Sequence, residues 1–254
     1  MPIKLHHIDI GNSKEVILFL HGLGANSDSW SEQTNFFKED YRLIVPDLRG
    51  HGQSPFSDEA FSFELCADDI FYLLKELNIE KVHLCGFSVG GMIAFEFAVK
   101  YPERLHSFCV VNTLAWFKLF NFKEAFSFNL RRVLIKFFPL PVLALLMAHK
   151  LFKYKDKRLR KKLIELSQSV NKKAYARFLE AMPDWDISQQ LSFIKVKTLI
   201  IGSEFDYDIF KGKAELAESM PNAKFIEIKG AHHFVTWECA DIFNTSYKEF
   251  LTSV

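Results

Sequence analysis

Short, nearly continuous apolar runs recur along the first 112 residues and again towards the end of the chain. VILFL (16–20), RLIVP (42–46), VHLC (82–85) and SFCVV (107–111) are each four or five residues long, and TLII (198–201) and KFIEI (224–228) follow late. Runs of this kind suit strands buried on both faces of a parallel sheet. Amphipathic stretches lie between them. Cys66, Ile70, Leu73, Leu74 and Leu77 share one face of a helix predicted over 62–77. Further helices are expected over 92–100, stopped before Pro102, over 213–220 and over 239–251. Strand–helix alternation on this scale predicts an α/β fold, with a mostly parallel central sheet flanked by helices. KLHHIDI (4–10) is expected to pair with VILFL as an N-terminal antiparallel hairpin.

The alternation breaks between about 113 and 190. That stretch holds no convincing strand. Leu159, Leu163, Leu166 and Val170 stand at helical spacing, and Pro139 and Pro141 interrupt it. The organisation expected is one core formed by 1–112 and 187–254, with a helical lid, 113–186, inserted between its halves. Charge sharpens that boundary. The whole chain carries +1, but 113–186 holds 16 Lys+Arg against 6 Asp+Glu, a balance of +10, which leaves −9 for the rest.

Composition excludes several classes. The chain has 254 residues, 49% of them hydrophobic, enough to bury a core. No 18-residue apolar run is present, and MPIKLHHIDI lacks the features of a signal peptide. Cys66, Cys85, Cys109 and Cys239 lie far apart without a CxxC pair. They read as core residues of a protein in a reducing compartment, with no disulfide frame or metal site. The expectation is a cytoplasmic enzyme.

Gly86-Phe87-Ser88-Val89-Gly90 is a G-x-S-x-G pattern directly after a predicted strand and before a predicted helix. That is the setting of a nucleophile elbow, in which a tight turn lifts a serine hydroxyl above the strand ends. A serine nucleophile needs a base, and the base needs an orienting acid, here in the order Ser, Asp/Glu, His. Glu204, Asp206 and Asp208 follow TLII; His232 and His233 follow KFIEI. Both loops fall at the sheet edge where ligands bind. Spacing alone leaves the choice within each group open. The expected oxyanion hole is the backbone N–H groups of Val89 and Leu23. Trp30 and Phe87 are candidate pocket residues, with plain packing as the other reading.

In these motifs the chain resembles the α/β-hydrolase superfamily, in its lid-bearing serine esterase and lactonase branch. His21-Gly22-Leu23-Gly24 resembles the family's HGxG block, and Asp47-Leu48-Arg49-Gly50-His51-Gly52-Gln53-Ser54 its D-x-R-G-H-G-x-S block. The elbow, Tyr101-Pro102-Glu103-Arg104, the acid loop and a G-x-x-H block from Gly230 follow in order. The resemblance covers about 1–112 and 187–254. It implies Ser88, Asp206 and His233 as catalytic residues, with Asp208 second for the acid. It implies structural roles for His21, Asp47, Arg49 and His51. Phe210, Ala240 and Lys197 stand where the family commonly has proline.

The expected activity is therefore cleavage of a carboxylic ester or thioester of an apolar acyl group, through an acyl-enzyme and with no cofactor. A lactonase or carbon–carbon bond hydrolase would use the same triad. From another class, the alternative is a non-catalytic binding protein on the same fold. The lid is rich in phenylalanine from Phe117 to Phe138, and its surplus is expected to face the pocket. Its basic run from Lys150 to Lys162, including Arg158, Arg160, Lys161 and Lys162, is by default a solvated helix face. The layout resembles that of pimeloyl acyl-carrier-protein methyl ester esterases, which implies an acyl carrier protein as a possible partner there. An anionic surface is the third reading. Nothing points to nucleic acid.

Overall fold

A computed structural model of the chain describes every residue except 58–60, 120, 152–155 and 208–209, and at 147–151 the helical backbone alone. Strands β1 (His7–Ile10), β2 (Val16–Leu20), β3 (Arg42–Pro46), β4 (Val82–Phe87), β5 (Leu105–Val111), β6 (Thr198–Phe205) and β7 (Ala223–His232) form one sheet in the order β1-β3-β2-β4-β5-β6-β7. All neighbours are parallel except β1 and β3. Helices α1 (Ser31–Phe37), α2 (Phe63–Glu76) and α3 (Val89–Lys100) fall between the early strands. α8 (Lys213–Glu218) connects β6 to β7, and α9 (Val235–Glu238) and α10 (Ala240–Leu251) close the chain.

The strand interiors explain why the apolar runs are unbroken. Val16, Leu18 and Leu20 pack on one face of the sheet with α2 and α3, while Ile17 and Phe19 pack on the other with Phe37, Phe243 and Tyr247. A strand covered on both sides has no polar face to alternate with.

The expected β1–β2 hairpin does not form. β1 instead pairs antiparallel with β3, from His7 opposite Pro46 to Ile10 opposite Leu43. β2 needs cover on both faces and both edges, so it sits inside the sheet between β3 and β4. The half-exposed β1 takes the edge, where unpaired backbone can meet water. Three strands run further than their apolar cores suggest. β4 continues through Gly86 and Phe87 to the elbow, β6 to Phe205 and β7 to His232. Each therefore ends next to a residue of the candidate site.

Helices α4 (Phe122–Phe137), α5 (Leu140–Leu151), α6 (Lys157–Ser167) and α7 (Lys172–Ala181) lie between β5 and β6. Asn121, Asp156 and Asn171 open α4, α6 and α7, each accepting a hydrogen bond from a first-turn N–H. Both ends of this insertion leave the sheet together. Trp116 and Asp186 form an isolated antiparallel bridge, Phe117 N–H donates to Trp185 at 3.0 Å and Ile187 N–H to Ala115 at 2.9 Å. Among the described residues, no helix is long and apolar enough to cross a membrane.

Candidate active site

The turn after β4 is built by steric exclusion. A Cβ on Gly86 would lie 2.5 Å from the Gly90 carbonyl oxygen, and one on Gly90 2.3 Å from that of Leu20. Only glycine allows α3 to start so close to the ends of β4 and β2. Ser88, between them, adopts φ 52° and ψ −119°, an uncommon backbone for a residue with a side chain. Its N–H donates to the Val111 carbonyl at 2.9 Å, so the strained turn is tied to the end of β5.

The three candidate residues converge. Ser88 Oγ lies 3.1 Å from His233 Nε2, and His233 Nδ1 lies 2.6 Å from Asp206 Oδ1. With Nδ1–H donating to the carboxylate, Nε2 is left as an acceptor for the serine hydroxyl. The competing residues have other partners. His232 Nδ1 bonds Glu238 at 3.0 Å, and Glu204 accepts the Gly230 N–H at 2.8 Å. Asp208 lies outside the described residues.

Asp206 is held on every side. Its Oδ1 also accepts the Tyr207 N–H at 2.8 Å, and its Oδ2 accepts Lys213 Nζ at 2.6 Å, in an ion pair whose side chains are 8% and 4% exposed. Burial pushes the Asp206 carboxyl up. The charge and hydrogen bond of His233, together with the Lys213 ammonium, more than offset this and leave it below the ordinary carboxylate value. Lys213 carries no motif and went unseen in the sequence. Asn112 was missed too. Just past β5, at φ 48°, its amide donates to Ser203 Oγ and to the His233 carbonyl, both at 2.7 Å, and accepts Ser203 N–H at 2.9 Å. It thereby joins the acid strand to the base loop. A lone Asn after an apolar run gives no sign of this.

The HGxG loop and the turn after β3 are locked by two histidines. His21 Nε2 accepts the Leu48 N–H at 3.0 Å, with Nδ1 2.9 Å from the Gly22 carbonyl. His51 Nε2 accepts the Gly24 N–H at 3.3 Å, with Nδ1 3.1 Å from the Arg49 carbonyl. Each ring donates at Nδ1 and accepts at Nε2, an arrangement open only to neutral imidazole. Burial lowers their pKa values to about 4 for His21 and about 3 for His51. Asp47 accepts backbone N–H groups of Ser27 and Gln53, and Arg49 pairs with Asp69 through two 2.7 Å bonds. These residues shape the loop that carries Leu23.

A cavity of about 80 Å³ opens above Ser88, lined by Leu23, Phe87 and Val89 from the core and by Phe117, Phe128 and Arg131 from the insertion. Arg131 bonds the Tyr175 hydroxyl and lies over that ring at 5.1 Å. Phe87 thus reaches the pocket. Trp30 does not: it is 1% exposed and stacks on Phe19 at 4.7 Å, within the core beneath α1. Phe210 lies parallel to the His233 ring at 5.5 Å. The position that departs from the usual proline therefore helps hold the imidazole.

The basic face of α6 is less free than its sequence suggests. Lys162 Nζ turns inward, donating to Ser31 Oγ at 3.0 Å and lying 5.0 Å over the Trp237 ring. Arg158 lies 3.8 Å from Glu32 and Lys161 3.5 Å from Glu165, while Arg160 bonds the Asp156 carbonyl at 3.4 Å. Residues 150–155 of the basic run lie outside the described side chains.

Comparison with known proteins agrees with this architecture. Residues 15–239 match the α/β-hydrolase fold family, and the chain belongs to that family. The 3-oxoadipate enol-lactonase 1 of Acinetobacter baylyi is 27% identical over 242 residues, covering 94% of this chain and 89% of the relative. A thermophilic esterase from Thermogutta terrifontis, solved with malate bound, superposes with a TM-score of 0.87 at 25% identity, covering 99% of this chain and 94% of that one. The enol-lactonase of Burkholderia xenovorans LB400 superposes at 0.89 with 23% identity, over 98% and 96% of the two chains. The chain thus belongs to a hydrolase family with esterase and enol-lactonase relatives.

Proposed function

We propose that the protein is a serine hydrolase that cleaves a carboxylic ester or thioester with an apolar acyl group. The observation that carries this is the continuous chain of hydrogen-bond contacts Ser88–His233–Asp206 at the floor of a mainly apolar cavity. In the reading proposed, His233 Nε2 takes the hydroxyl proton as Ser88 Oγ bonds to the substrate carbonyl carbon. The carbonyl π pair moves to oxygen, and Asp206 stabilises the imidazolium that results. The Val89 and Leu23 amides face the oxyanion, a contribution of about 100–1000-fold per donor. As the first residue of α3, Val89 has no helix carbonyl behind it to satisfy its N–H. Collapse of the intermediate breaks the C–O or C–S bond, and the leaving group takes the proton from His233. Water, deprotonated by His233, then releases the acid.

The inserted helices act as a lid in this reading, since Phe117, Phe128 and Arg131 supply one wall of the cavity. A lactone is the second substrate class, favoured by the near full-length match to an enol-lactonase. Its cleavage uses the same steps, with the leaving alcohol still attached to the acyl group.

A fluorophosphonate probe and a chain-length series of p-nitrophenyl esters test the reading. Wild type is expected to label and to turn over short to medium esters. Ser88→Ala is expected to do neither, with a loss of at least about 10³-fold in kcat and little change in melting temperature. A wild-type protein that never labels would favour a non-catalytic binding protein. Activity retained by Ser88→Ala would remove the mechanism.

A further inference from the structure

The outer surface of the insertion is apolar in a way the active site does not use. Phe122, Phe126, Leu130, Val133 and Phe137 recur at helical spacing along one face of α4 and are exposed, Phe122 by 85% and Phe137 by 74%. Phe138, Val142, Leu145 and Leu146 extend the exposed surface across the connection into α5. Of the 17 large hydrophobic residues exposed among the described residues, nine fall in this stretch of 25. Scattered exposed apolar residues need no explanation, but a contiguous patch of this kind marks a surface that meets something. The opposite face of α4 is already occupied. Ile135 is buried, and Phe128 and Arg131 line the cavity.

Charge identifies what the free face would meet. On the helical wheel the stripe is flanked by Lys123 on one side and Lys136 on the other, both exposed. The insertion as a whole carries +10. An apolar stripe bordered by cations is the pattern of a helix that lies in the plane of a bilayer interface. Its aromatic and aliphatic side chains enter the acyl boundary, and its lysines reach back to anionic headgroups. A second copy of the chain would bring a like-charged surface against this one, which disfavours self-association through the same patch.

We infer that the outer face of α4 and the adjoining part of α5 form a docking surface for an anionic lipid bilayer, on which the protein rests without spanning it. Docked this way, the cavity wall formed by Phe128 and Arg131 lies one helix thickness, about 10 Å, from the lipid.

Vesicle flotation tests this without relying on turnover, so its result is independent of the Ser88 experiment. The probes are vesicles of phosphatidylcholine alone and of phosphatidylcholine mixed with phosphatidylglycerol, each at low and high salt. Wild type is expected to float with the anionic vesicles, more weakly with the neutral ones, and less at high salt. Phe126→Ser with Phe137→Ser, which leaves the charge unchanged, is expected to lower the partition coefficient by about tenfold or more. Lys123→Gln with Lys136→Gln is expected to remove the preference for anionic lipid. Phe193→Ser, at an exposed phenylalanine on the connection before β6, serves as the control and is expected to float like wild type. Thermal melting checks that each variant is folded. No flotation of wild type with anionic vesicles at low salt overturns the inference. So does flotation that the two phenylalanine substitutions leave unchanged. A wild-type dimer in light scattering that those substitutions dissociate, with no vesicle binding, would assign the patch to self-association instead.

Discussion

Lys213 changes what kind of acid Asp206 is. In a buried site a carboxylate is costly unless each oxygen is paired. Here one oxygen faces His233 and the Tyr207 amide, and the other faces an ammonium at 2.6 Å. Lys213→Met should therefore cost about 3–5 kcal/mol of folding stability, the usual cost of stranding one member of a buried pair. It should also lower kcat, because the imidazole loses part of its anchor. Denaturant titration and steady-state kinetics measure the two effects, and a neutral result in both would mean that Oδ2 finds another donor. The histidine pair separates as sharply. His233→Ala should lower kcat by at least about 10³-fold, while His232→Ala should stay within about threefold, since its ring bonds Glu238 and packs beside Phe205. Ser88 was legible as a candidate from the elbow and the acid and base loops from their order, while Asp206 and His233 were singled out within those loops only by the family resemblance. Lys213 and Asn112 were not legible, because the partners of each depend on how the loops after β5, β6 and β7 and the start of α8 come together, and neither lies at a diagnostic spacing.

Between loops, the pairing of His21 with the turn after β3, and of His51 with the HGxG loop, makes acid the natural denaturant. Both rings must stay neutral to accept their backbone N–H groups. In the unfolded chain each titrates near its ordinary value of about 6.5. Between pH 6.5 and 5 the unfolded state thus binds more protons than the folded one, so stability falls as pH falls. The slope approaches about 1.4 kcal/mol per pH unit for each histidine. His51→Gln, starting from a lower stability, should show a shallower decline over this window in denaturant titrations at stepped pH. An unchanged slope would show that His51 is not one of the groups responsible. The sheet illustrates a related limit of sequence reading. Apolar runs locate six strands, but adjacency along the chain does not give the neighbour of β1, which is β3 and not β2. Burial decides this. A strand needing cover on all sides excludes a half-exposed one from the interior, and that comparison requires the other strands to be in place.

For the molecule as a whole, the absence of disulfides among the four cysteines leaves cohesion to packing on the two faces of the sheet. Cys66, Cys85 and Cys109 are buried and Cys239 is half-buried, and burial raises the Cys239 thiol. A maleimide should therefore react slowly at Cys239 alone in the native protein and reach all four only on unfolding. Reducing agent should leave the melting temperature unchanged. Rapid modification of several thiols in the native state would contradict this packing. The charge contrast between insertion and core was readable from composition. The inward turn of Lys162 and the apolar stripe of α4 were not, because each depends on which way a helix faces once it is docked.

The insertion begins and ends at one place, where Trp116 meets Asp186. A segment whose two ends are already side by side can be exchanged for another of different length without rerouting the chain beneath it. The strands that carry Ser88, Asp206 and His233 and the helices that wall the cavity can then diverge at separate rates. The motifs around Ser88, Asp206 and His233 lie outside that junction, and the apolar stripe of α4 and the basic run of α6 lie within it.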